Sequence, residues 1–122
     1  MKLIRLEEFI SEVTCLAVDE FDHVVRGLDP ETALEDSHTW RAYMKMELCE
    51  ELGMIFHQWL TSKTSHILDK MIDLLDQWEC EGFWGYQVYS QERWEARGLD
   101  ILKCEARIWV AREMTRRIRG AR

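Results

Sequence analysis

Proline occurs once in this chain, at Pro30, and on both sides of it apolar residues recur at the three- and four-residue spacing of a helix face. Sheet proteins need turn residues every few positions, and six glycines with one proline do not supply them. The pattern predicts a compact all-α bundle of about four long, mostly antiparallel helices, forming a single helical domain over residues 1–122.

The first helix is expected from about Leu6 to Arg26, with Leu6, Phe9, Ile10, Val13, Leu16, Ala17, Phe21, Val24 and Val25 on its apolar side. Gly27 is placed to end it in the left-handed conformation. Asp29-Pro30-Glu31 reads as a cap, a first-turn proline and a dipole-matched acid, which predicts a short helical turn over residues 30–36. Ser37 or Thr39 is the expected cap of a longer helix reaching Leu60, with Trp40, Tyr43, Met44, Leu48, Leu52, Ile55, Phe56 and Trp59 as its stripe. Gly53 within it is read as the close approach of a neighbouring helix. A third long helix is expected from His66 to Glu81, with Ile67, Leu68, Met71, Leu74, Leu75 and Trp78 inward.

Gly82 and Gly85 then bracket Phe83 and Trp84, and the run continues Tyr86-Gln87-Val88-Tyr89. The glycines predict an aromatic loop over residues 82–89, either packed as a lid on the bundle or exposed for recognition. Ser90 is the expected cap of the last helix, running from Gln91 to about Arg119 with Trp94, Ile101, Leu102, Ile108, Trp109, Ala111 and Ile118 on its apolar faces. That helix is long enough to project or to pair with a second copy.

Charge is unevenly divided: residues 1–81 carry 18 acids and 7 bases, residues 82–122 carry 5 and 9. Late in the chain Arg107, Arg112, Arg116, Arg117, Arg119 and Arg122 face only Glu113. The four cysteines, Cys15, Cys49, Cys80 and Cys104, form no metal-binding pair and are read as free, structural thiols. With no long apolar run and no cleavage-site pattern, the expectation is a cytoplasmic protein without a membrane span.

Two acidic stripes are candidate metal ligands, because paired carboxylates on neighbouring helices suit magnesium. Glu47-Leu48-Cys49-Glu50 and Asp73-Leu74-Leu75-Asp76 are faintly similar to the paired acidic motifs of the all-α nucleotide pyrophosphohydrolases. The doubled glutamate of the first motif is missing, and aspartate replaces glutamate in the second. The resemblance implies a magnesium-dependent nucleotide hydrolase using Glu47, Glu50, Asp73 and Asp76; an ordinary solvated acidic face is the favoured alternative. The histidines are dispersed, and no phosphate-cradling glycine loop or nucleophile motif occurs.

The expectation that follows is a non-catalytic interaction protein without a cofactor, such as a small acidic inhibitor or regulator of a nucleic-acid-handling protein. Its contact residues would be Phe83, Trp84, Tyr86 and Tyr89 with Arg112, Arg116 and Arg119, and its partner a basic protein or a second copy forming a homodimer. Nucleic acid bound through the arginine-rich helix is a further alternative.

Overall fold

A computed structural model describes residues 1–91 and 98–121, residues 88–91 by backbone alone. Among these residues it contains five helices and no strand: α1 (Leu3–Val25), α2 (Pro30–Glu35), α3 (Ser37–Thr61), α4 (Ile67–Gln91) and α5 (Gly98–Gly120). They pack as a compact all-α bundle around one cluster that includes Leu6, Phe9, Leu48, Leu52, Met71, Leu75, Val110 and Met114. Each such Leu or Met withdrawn from water contributes ~1.5–3 kcal/mol.

The helix ends follow local chemistry. Arg26 (φ −60°, ψ 124°) and Gly27 (φ 80°) form a type II turn in which the Leu28 N–H donates to the Val25 carbonyl at 3.0 Å, a turn that favours glycine at its third residue. The Asp29 carboxylate accepts from the Thr32 N–H at 2.8 Å. That backbone hydrogen bond lowers the Asp29 pKa from its ordinary 3.8. The cap of α3 is Asp36, which accepts from the His38 N–H at 2.9 Å; the expected Ser37 and Thr39 lie inside the helix. At its other end Lys63 (φ 52°) takes the left-handed position, with the Thr64 N–H on the Trp59 carbonyl and its own N–H on that of Leu60.

Neighbour relations differ from chain order. α1 packs on α3, α3 on α5 and α5 on α4, while the consecutive helices α3 and α4 scarcely touch. Residue pairings give direction: Ile10 lies near Gly53 and Phe21 near Tyr43, so α1 and α3 are antiparallel. Arg41 meets Glu105 and Lys45 lies over Trp109, so α3 and α5 run parallel. α5 therefore occupies the middle. Its wholly buried residues include Cys104, Ala106, Val110, Ala111 and Met114, whereas Ile108 and Trp109 are only half-buried. Small residues on more than one side suit a helix packed against several others, and a single apolar stripe does not anticipate them.

The largest departure concerns residues 82–89, which form no loop: they continue α4, and Ser90 and Gln91, expected to start the last helix, belong to it as well. Gly82 explains the continuity. A Cβ there would stand 2.6 Å from Ile108 Cγ1 and 2.8 Å from the Cys104 carbonyl oxygen, so the backbones of α4 and α5 meet where only glycine fits. Gly53 has no such role, since its Cβ would find nothing nearer than Ile10 Cγ2 at 3.9 Å. Among the described residues the final helix spans Gly98–Gly120. Trp94 lies outside the described residues.

Candidate functional site: the seam between α4 and α5

Residues Glu79, Phe83 and Tyr86 share the side of α4 that faces α5, where Ile108 and Arg112 lie one turn apart. Phe83, Tyr86, Glu105, Ile108 and Arg112 line a shallow hollow of about 300 Å³. The Arg112 guanidinium sits 5.2 Å above the Phe83 ring centre, and its Nε donates to Glu79 at 3.4 Å. A cation over an aromatic face is attracted by the ring's electron-rich surface, so Arg112 is held in place without losing its exposure.

Trp84 projects about 100° further round α4 than Phe83, away from Tyr86, and is 70% exposed, with Phe83 at 43% and Tyr86 at 42%. These rings are therefore exposed on a helix, and the expected lid is not there. Tyr89 belongs to α4, but its side chain lies outside the described residues. Arg116 and Arg119 follow Arg112 at four and seven residues, on the same side of α5, and both are exposed. Arg116 pairs with Glu113 at 2.6 Å. The structure thus brings Phe83, Tyr86 and Arg112 together, leaves Trp84 exposed on another side of α4, and extends the surface along α5.

Part of the charge division is spent inside the bundle. Arg117, mostly buried, donates to Glu12 of α1 at 3.1 Å and to Glu113 at 2.7 Å. Burial opposes its charge, and those hydrogen bonds outweigh the opposition and raise its pKa. Lys45 likewise joins Glu20 of α1 at 2.9 Å and lies 5.0 Å above the Trp109 ring. Acids early in the chain thus hold bases later in it.

The acidic stripes stand apart. Glu47 and Glu50 are exposed on α3, Asp73 and Asp76 on α4, and those two helices scarcely touch. Among the described residues no three or more His, Cys, Asp or Glu converge as metal ligands would. Glu47 instead engages the Tyr43 hydroxyl, a hydrogen bond that raises the phenol above its ordinary pKa of 10.0. Burial pushes the Cys49 thiol up to about 11, which keeps it protonated and unreactive near neutrality. All four cysteines are free, Cys15 and Cys80 at the surface. Among the described residues no helix is long and apolar enough to cross a membrane.

Sequence reasoning missed a second feature, an apolar cleft where α1, α2 and α3 meet. Trp40 and Tyr43 in its wall fall at core spacing, so nothing in their periodicity separates a cleft from a filled core. The only available signal was the short, proline-started helix beside them. No protein family, curated protein or solved structure matches this chain.

Proposed function

We propose that this chain is a non-catalytic interaction protein whose docking surface is the α4–α5 seam. The observation that carries the reading is the exposure of Phe83 and Tyr86, at 43% and 42%, beside an Arg112 anchored over the Phe83 ring, with Trp84 70% exposed on an adjoining side of α4. Tryptophan, tyrosine and arginine are the residues on which interface energy concentrates, and aromatic rings left in water are a cost that a partner's burial of them removes. The partner is another protein. The chain's net charge of −7 favours a basic one, such as a nucleic-acid-handling protein that this chain inhibits or regulates.

Affinity capture with the intact chain tests this, run beside Trp84→Ala and Arg112→Ala. A partner retained by the parent and lost at least tenfold by both variants supports the seam. Equal retention by all three places the contact elsewhere. A mobility shift of nucleic acid that vanishes with added salt supports the arginine-helix reading instead.

A further inference from the structure

α1 lies against one flank of α3 and α5 against another, while α4 scarcely touches it. One side of α3 is therefore left bare. From Glu47 to Thr61, about 21 Å of helix, that side carries Glu47, Glu50, Glu51, Met54 and Gln58, all exposed, and a shallow hollow of about 1110 Å³ runs along it. A smaller hollow of about 270 Å³ opens between α1 and α3, with Ile10, Phe56 and Leu60 in its lining and Glu7 contributed by α1. Gly53 and His57 line both, so the two join into one groove across a residue without a side chain.

The charge and the apolar surface of this groove point the same way. On α1, Glu8 pairs with Arg5 and Glu12 with Arg117. Among the described residues Glu7, Glu50 and Glu51 have no basic partner, and Glu47 engages a neutral group, the Tyr43 hydroxyl. Glu47, Glu50 and Glu51 stand at three- and four-residue spacing, where like charges repel one another, and a bound cationic chain removes that repulsion. Between these carboxylates and Gln58, Met54 is 67% exposed, and Leu60 follows toward the end of α3 at 37%. A methionine side chain adapts its flexible thioether to whatever packs on it.

We propose that this groove is a second docking surface, independent of the seam, and that it takes a basic amphipathic helix of a partner protein. The helix lays its apolar side on Met54 and Leu60 and its lysines or arginines against Glu7, Glu50 and Glu51. The groove is too long and too shallow to enclose a small molecule, and its carboxylates repel nucleic acid and anionic lipid. The net charge of −7 draws a cationic partner toward the whole chain, and the groove supplies the place where apolar contact joins that attraction.

The test is a fluorescence-anisotropy titration of the intact protein into a dye-labelled peptide of about 15 leucines and lysines patterned as an amphipathic helix, a length that matches the groove. Saturable one-to-one binding at physiological ionic strength is expected. A peptide with glutamate for lysine does not bind, and a scrambled peptide of the same composition, which lacks the apolar stripe, binds about tenfold more weakly. Glu50→Gln with Glu51→Gln weakens binding about tenfold, and Met54→Ser roughly two- to tenfold, at unchanged melting temperature, since all three side chains are exposed. Asp73→Asn with Asp76→Asn removes the same charge from α4 and binds as the parent does. Trp84→Ala and Arg112→Ala also bind as the parent does, which separates a failure of this groove from a failure of the seam. The proposal is overturned if binding never saturates, if the scrambled peptide binds as tightly, or if the α4 pair of substitutions weakens binding as much as the α3 pair. Loss of binding with Trp84→Ala or Arg112→Ala overturns it as well, because the peptide then sits on the seam.

Discussion

The α4–α5 seam and the α1–α2–α3 end both place aromatic rings between helices, yet the spaces they line differ. At the seam the backbones meet at Gly82, and Phe83 and Tyr86 line only a shallow hollow of about 300 Å³ and stay 43% and 42% exposed. At the other end Phe21, Trp40 and Tyr43 line an apolar cleft of about 480 Å³ beside α2, a helix that buries none of its residues. Close backbone approach leaves little room for rings between two helices, and a short helix that buries nothing leaves more.

The comparison breaks most readily at Gly82. An alanine there puts its Cβ against the Cys104 carbonyl, a backbone atom that cannot swing aside, so α4 and α5 must part. Gly82→Ala is expected to destabilise the fold by roughly 2–3 kcal/mol, although alanine is the better helix former. Urea denaturation measures this, and parent-like stability would mean that the seam is looser than its geometry. At the α1–α3 side, Cys49 offers a chemical counterpart. Its folded pKa, about 11, lies above the ordinary 9.0, so the protonated thiol is favoured by folding. Its contribution is fully present below pH 9 and is lost as pH rises toward 11, which amounts to roughly 2 kcal/mol. Urea melts at pH 8 and pH 11 should show that loss in the parent and a smaller one in Cys49→Ala.

The two glycines also show what was legible in the sequence. Helical spacing identified the class of fold, the stripe Ile67, Met71, Leu75 and Trp78, and the Asp29-Pro30 start of α2, because each is a local property. It assigned close approach to Gly53 and a loop break to Gly82, whereas the structure gives the close approach to Gly82 and none to Gly53. A glycine in sequence declares only that a Cβ is absent, and whether that opens a turn or admits a neighbour depends on which helix arrives from elsewhere. The same limit hid the central place of α5, whose small residues Ala106 and Ala111 have meaning only beside their neighbours. Of the seam, the residue types were legible, but their coming together across α4 and α5 was not. Gly53→Ala should accordingly stabilise α3 by about 0.5–1 kcal/mol, since nothing obstructs the new methyl. A loss of stability in the melt would return Gly53 to the role of a packing contact.

Trp84→Ala should have the smallest effect on stability and the sharpest bearing on function. A residue 70% exposed surrenders little buried area when truncated, and alanine within α4 adds helix propensity, so the change should stay within about 0.5 kcal/mol. A ring that packed the bundle would instead cost about 3–5 kcal/mol. Thermal melts of the two proteins separate these outcomes by many degrees. If stability holds while partner capture falls, Trp84 acts on something outside the bundle; a large loss of stability would return the ring to the core.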